Sequence, residues 1–209
     1  MAVASSAQPK IGVFGGAFDP PHLAHTGLIE AALGQLRLTE LRVIPTGHAW
    51  HKPRPLSAAT HRLAMARLAF GHVPGVQLDE REIHRPGPTY TIDTLRQLQA
   101  EQPQAQLLLL LGADQAAALP TWHEASEIAR LAHICVAERA VSGSQGDSNS
   151  LPAKTASERG PWQYLALALS PISATEIRLK VRLGQSLTHL VAPAVARYIQ
   201  DNHLYQGVE

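Results

Sequence analysis

The chain has 209 residues, 45% of them hydrophobic, with 18 Lys and Arg against 17 Asp and Glu and a formal net charge of +1. That length and apolar fraction suit one compact α/β domain covering residues 1–209. So balanced a charge gives no electrostatic case for general nucleic-acid or membrane-surface binding.

The single cysteine, Cys135, has no partner in the chain for a disulfide. In its apolar run it reads as a small buried hydrophobe, which fits a reducing compartment. Residues 1–10 are small and polar, with no apolar stretch of signal-peptide length. Residues 1–9 are expected to be flexible. The longest apolar run, 107–111, is far too short to span a bilayer. A soluble, cytoplasmic protein is the expectation.

In chain order, residues 11–14 (Ile-Gly-Val-Phe) read as a buried first strand, ended by Gly15 and Gly16. Phe18-Asp19-Pro20-Pro21 makes a stiff turn. His22 and His25 follow three residues apart, as an amphipathic helix begins at Leu23 and continues through Leu28, Ile29, Ala32 and Leu36. A helix N-terminus offers open N–H groups and a positive dipole end, and glycines admit a ligand close to the backbone. Two imidazoles there add donors that can follow charge developing on phosphate oxygens. This pattern points to a nucleotide phosphate chain. No G-x-G-x-x-G or G-x-x-x-x-G-K-[ST] run is present, so neither the dinucleotide fingerprint nor a Walker loop is indicated.

Residues 41–45 read as a second strand running into a loop, 46–55, which holds His51, Lys52 and Arg54 among prolines. Cations at a strand's carboxyl end lie where open α/β sheets bind ligands. A helix is expected over 58–70 and a third strand over 75–79. The Pro and Gly residues of 85–88 make a turn. Thr91 is a candidate N-cap for a helix through Leu95 and Leu98, ending near Pro103.

The continuous apolar run 106–111 suits a central parallel strand. It ends at Gly112-Ala113-Asp114, which places Asp114 to accept hydrogen bonds from ribose hydroxyls. Strand character returns at 133–137 and 162–169, around a segment, 140–160, rich in Ser and Gly and expected to be a mobile loop. Ser173 and Thr175 are candidate caps for a helix over 176–183, with Arg178 on it. Hydroxyls, open N–H groups and a guanidinium fork together make a phosphate site. A last helix is expected over 193–202. Strands alternating with helices predict a doubly wound, mostly parallel sheet.

Two of these runs carry a family resemblance. Gly15-Gly16-Ala17-Phe18-Asp19-Pro20-Pro21-His22-Leu23-Ala24-His25 resembles the GGxFDPxHxGH signature of the HxGH-type nucleotidyltransferase superfamily, and Ile172-Ser173-Ala174-Thr175-Glu176-Ile177-Arg178 resembles its ISSTxIR signature. Ala24 stands where the pattern has glycine and Ala174 where it has serine, so no ligand contact is assigned to Ala174. Arg62-Leu63-Ala64-Met65 also fits the family. The run Arg85-Pro86-Gly87-Pro88-Thr89-Tyr90-Thr91-Ile92-Asp93-Thr94-Leu95 is similar to the RxGPSYTIDTL signature of bacterial nicotinate-nucleotide adenylyltransferases.

The resemblance implies a Rossmann-like nucleotidyltransferase fold and adenylyl transfer from ATP to nicotinate mononucleotide, with pyrophosphate released. It implies ATP binding by Gly15, Gly16, Phe18, His22, His25, Ser173, Thr175 and Arg178, with His22, His25 and Arg178 catalytic. It implies that His51, Lys52, Thr89, Tyr90, Thr91, Asp114 and Trp122 bind the mononucleotide, Trp122 by stacking on the pyridine ring. Mg²⁺ is expected to ride on the triphosphate, with no protein metal cage.

The sequence shows no Ser-His-Asp arrangement or covalent nucleophile near these residues, so direct attack is the expected mechanism. Three other readings stay open: a relative using nicotinamide mononucleotide, phosphopantetheine or another acceptor; a nucleotide-binding sensor without turnover; and a histidine-based metal protein.

Overall fold

The computed structural model describes residues 8–47, 55–139, 162–167 and 172–207. Six strands form one sheet: β1 (Lys10–Gly16), β2 (Glu40–Pro45), β3 (Val76–Leu78), β4 (Gln106–Gly112), β5 (Ala132–Arg139) and β6 (Gln163–Leu167). Their order is β3-β2-β1-β4-β5-β6. Every adjacent pair is parallel. This is the doubly wound order, in which the winding direction reverses between β1 and β4.

Both faces of the sheet are buried, and β4 shows why its sequence is continuously apolar. Leu108 and Leu110 join one core cluster, while Leu107, Leu109 and Leu111 join the other. The first cluster takes Leu28, Ile29 and Ala32 from helix α1 (Leu23–Leu36) and Met65 and Ala66 from α2 (Ala59–Phe70). It also takes Ile177 from α7 (Ala174–Arg182) and Val195 and Ile199 from α8 (Pro193–Asp201). The second takes Ile92, Leu95 and Leu98 from α4 (Thr91–Glu101), Ala116 from α5 (Ala113–Ala118) and Ile128 from α6 (Ala125–Leu131). Cys135 is buried in β5, and burial pushes its thiol up to about 11. No helix among the described residues is long and apolar enough to cross a membrane.

The structure differs from the sequence expectations in several places. Gly15 and Gly16 do not end the first strand; they pair in register with Ile44 and Pro45 of β2. A short helix, α3 (Arg81–His84), and helices α5 and α6 stand where the sequence shows only linking segments. Each is too short for a clear apolar period. Pro9, inside the expected flexible end, is tied down: its carbonyl accepts from the Gln106 N–H at 2.8 Å. The expected loop at 140–160 lies outside the described residues, as do His51 and Lys52.

Candidate active site

The reversal of winding puts the ends of β1 and β4 side by side, with their connections leaving toward opposite faces. That crevice is where such sheets take ligands. The β1 connection carries Phe18, Asp19, His22 and His25. The β4 connection carries Asp114, which is exposed in the first turn of α5.

His22 is the N-cap of α1, with extended backbone, and His25 is its third helical residue. These are the two positions of a capping box, here filled by imidazoles instead of a hydroxyl and a carboxamide. The His22 N–H donates to His25 Nδ1 at 3.2 Å. His25 Nδ1 is therefore bare, and its proton sits on Nε2. The rings of His22 and His25 stack, with centroids 3.7 Å apart and planes at 21°. The Phe18 ring meets His25 edge-on at 5.2 Å.

Burial lowers the His22 pKa to about 4. His25 is lowered well below the ordinary imidazole value, first by burial and then by proximity to His22. Both rings are neutral donors near pH 7. His22 Nδ1 is, among the described residues, a buried nitrogen with no hydrogen-bond partner, so one nitrogen of this ring still has capacity to bind.

Phe18 adopts a left-handed backbone at φ 49°. Its ring is only 2% exposed, and it packs edge-on against Phe14 and Phe70. Any part Phe18 takes in binding ATP falls to its backbone. Gly16 is required beneath it, because a Cβ there would sit 2.9 Å from the Phe18 ring.

The start of α7 docks onto the connection that follows β1. Ser173 caps α7, its Oγ accepting from the Glu176 N–H at 3.2 Å. Thr175 is not a cap, as the sequence suggested; it lies inside the first turn, and its Oγ1 accepts from Arg178 Nη2 at 3.0 Å. Arg178 Nη1 donates to the Asp19 carbonyl at 2.9 Å. Residues separated by more than 150 positions thus meet three residues ahead of His22.

The Asp19 carboxylate is 2% exposed. It accepts from the Tyr205 hydroxyl at 2.7 Å and from the Ser57 N–H at 3.2 Å.

Beside it, Arg62 is equally buried, at 2% exposed. It donates to the Ser57, Ala17 and Gly47 carbonyls at 3.0, 3.0 and 3.2 Å. One guanidinium therefore sets the spacing between the connections leaving β1 and β2. The sequence showed Arg62 only as part of a family match. The signal it did carry was a cation on the apolar side of a helix, beside Leu63 and Ala66.

On the other flank, Tyr90 rather than Thr91 is the N-cap of α4, and its side chain makes no cap hydrogen bond. The Tyr90 and His123 rings lie 4.4 Å apart. Tyr90 and Trp122 are both half-buried against the same core cluster, so the segments around 90 and 122 converge. Thr89 and Thr91 sit on the connection into α4 and at its first residue.

The turn ahead of them is pinned by a buried set. Thr94 Oγ1 donates to Glu82 Oε1 at 2.7 Å and accepts from Arg85 Nη1 at 3.1 Å. Burial pushes the Glu82 carboxyl up. Gly47 presses directly on this turn, since a Cβ there would stand 1.9 Å from the Glu82 carbonyl oxygen. Among the described residues no group of three or more His, Cys, Asp or Glu could hold a metal ion.

The cytidylyltransferase-like family model matches residues 13–180. A protein of Albidiferax ferrireducens, named a probable nicotinate-nucleotide adenylyltransferase, is 52% identical over 197 residues, covering 94% of this chain and 98% of its own. A protein of Methylibium petroleiphilum with the same name is 43% identical over 205 residues, covering 96% and 94%. The fold matches that of the Plasmodium falciparum nicotinic acid mononucleotide adenylyltransferase solved with NaAD, with TM-score 0.75 and 19% identity over 94% of this chain and 97% of that one. The chain belongs to the nicotinate-nucleotide adenylyltransferase family, within the cytidylyltransferase-like proteins.

Proposed function

We propose that His22, His25 and Arg178 carry out, in this chain, the transfer of the adenylyl group of ATP to nicotinate mononucleotide. The products are nicotinate adenine dinucleotide and pyrophosphate, a step of NAD biosynthesis. The observation that carries the assignment of roles is the docking of Arg178 on the Asp19 carbonyl at 2.9 Å. It brings the α7 phosphate motif against the connection that presents both histidines.

The 5′-phosphate of the mononucleotide attacks the α-phosphorus of ATP, and the bond to the β-phosphate oxygen breaks. Such a transfer asks for positioning and charge stabilisation more than for covalent chemistry. Neutral His22 and His25 donate to the oxygens of the α- and β-phosphates. His25 does so through Nε2, because its Nδ1 is engaged by the His22 N–H. Gly15 and Gly16 let the phosphates approach the β1 backbone, joined by the backbone of Phe18. Ser173, Thr175 and Arg178 hold the β- and γ-phosphates, and the fixed positive charge of Arg178 stabilises the departing pyrophosphate. Mg²⁺ enters as part of the MgATP substrate and neutralises charge on the phosphates.

The acceptor lies toward α4. The backbone of Thr89, Tyr90 and Thr91, at the positive end of that helix, takes the pyridine carboxylate. Trp122 stacks on the electron-poor ring, and Asp114 accepts from ribose hydroxyls. His51 and Lys52 steady the mononucleotide phosphate. A cytoplasmic location goes with substrates of this kind.

The test is pyrophosphate release with ATP and Mg²⁺, comparing nicotinate with nicotinamide mononucleotide. A strong preference for the acid is expected. Equal use of both would remove the carboxylate role from the 89–91 segment, and activity with neither would overturn the reading.

A further inference from the structure

We propose that Tyr205, in the segment after α8, is a positioning residue for adenylyl transfer: its hydroxyl holds the Asp19 carboxylate, and Asp19 in turn orients Arg178. The proposal rests on the reaction assigned above and extends its machinery to the far end of the chain.

Three distances carry it. The Tyr205 hydroxyl donates to Asp19 Oδ1 at 2.7 Å. The Ser57 N–H donates to the other carboxylate oxygen, Oδ2, at 3.2 Å. Arg178 Nη1 donates to the Asp19 main-chain carbonyl at 2.9 Å. Asp19 is the one residue common to all three. Ser57 and Tyr205 each hold one oxygen of the Asp19 carboxylate, which restricts how this residue, and with it its carbonyl, can turn. That carbonyl aims the Arg178 guanidinium together with Thr175 Oγ1, which accepts at 3.0 Å.

The backbone around Tyr205 supports the same reading. His203 is left-handed at φ 50° as the residue that ends α8, its N–H on the Gln200 carbonyl and the Leu204 N–H on the Ile199 carbonyl. Tyr205 is left-handed again at φ 64°, which an L-residue with a Cβ enters only against steric resistance. The first of these ends α8, and only the second lies beyond the helix stop. There, the turn at Tyr205 sets its hydroxyl on an acid that is 2% exposed.

An apolar anchor would also need no hydroxyl. The Tyr205 ring packs with the cluster of Val195 and Ile199, which a phenylalanine ring would satisfy equally. Burial, together with the Asp19 charge, pushes the Tyr205 hydroxyl well above its ordinary value, so it stays a donor. The hydroxyl therefore serves the carboxylate, and the carboxylate serves the loop ahead of His22.

The experiment compares wild type, Y205F, R178K and the double variant in the full chain. Y205F removes one oxygen and keeps the ring. It should lower kcat for pyrophosphate release about tenfold, the range for losing one hydrogen bond to a charged group. KM for the mononucleotide should stay within about twofold of wild type. In the R178K background Y205F should cost nothing further, because its effect passes through that guanidinium.

A Y205F variant that only melts earlier, with kcat and both KM values unchanged, would make Tyr205 a tail anchor and overturn the proposal. So would a full additional loss on top of R178K. If Y205F does not fold, D19N combined with R178K tests the same link from its centre, with the same two outcomes. If wild type itself transfers no adenylyl group, the functional reading has failed on its own. Affinity for a non-hydrolysable ATP analogue, by calorimetry, then decides. About tenfold weaker binding in Y205F supports the link, and unchanged binding overturns it.

Discussion

The imidazoles of His22 and His25 lie nearly parallel, 3.7 Å between centroids, and are held so because one occupies the cap and the other the third residue of the same helix. Stacking brings two ionisable rings into one buried place, where a proton on either is disfavoured by burial and a second proton by the first. Near pH 7 the pair is therefore neutral, and what it offers a ligand is N–H donors. Replacing His22 by Ala should lower kcat by about two orders of magnitude, the range for losing a donor to transition-state charge. KM for ATP should change far less, which steady-state kinetics will show.

The same pair makes the fold sensitive to acid. The folded His22 pKa is about 4, below the unfolded value of about 6.5. Between those values the unfolded chain binds a proton that the folded chain refuses, so stability is complete above about pH 6.5 and falls as pH drops toward 4. His22 alone should cost about 3 kcal/mol by the end of that window, and His25 adds in the same direction. Denaturant midpoints for wild type and H22N, from pH 7 to 4.5, will check it. The slope should be shallower in the variant.

Arg62 should be the most damaging core substitution outside the histidine loop. R62M leaves the Ser57, Ala17 and Gly47 carbonyls without the donors they now have. These carbonyls are part-buried, so each stranded acceptor costs toward the lower end of about 1–3 kcal/mol, and together a loss of about 3 kcal/mol is expected from urea denaturation. R62K keeps the charge but cannot span three carbonyls, and should fall between wild type and R62M.

Gly47→Ala tests the contact between the connection after β2 and α3, whose Glu82 also pins α4 through Thr94. A Cβ would stand 1.9 Å from the Glu82 carbonyl oxygen, so one of the two segments must move. KM for nicotinate mononucleotide should rise about tenfold or more, as misplacement of a binding segment does. An unchanged KM would separate α3 from the acceptor site.

Trp122→Ala should raise KM for the mononucleotide roughly tenfold, the scale of one lost aromatic stacking contact with its buried area, and leave KM for ATP alone. A fall in ATP affinity instead would move Trp122 out of the acceptor site.

Much of this was legible in the chain itself. The apolar runs of β1 and β4 and the strand–helix alternation fix a parallel sheet, because only a strand buried on both faces reads as continuously apolar. The glycines and histidines at 15–25, and Ser173, Thr175 and Arg178, stand out as candidate phosphate ligands through residue type and spacing, and the fold brings the two sets together. Residue type and spacing are local properties, carried by neighbours in sequence.

What tertiary structure alone decided is how the distant pieces share atoms. That Tyr90, not Thr91, caps α4 depends on where the preceding turn is pinned by Glu82 and Thr94. That Asp19 gathers Ser57, Arg178 and Tyr205 depends on contacts spanning 38, 159 and 186 positions. No periodicity or spacing encodes such pairings. A buried carboxylate is stable only where the completed fold brings donors to it, and those donors are chosen by the packing of whole elements.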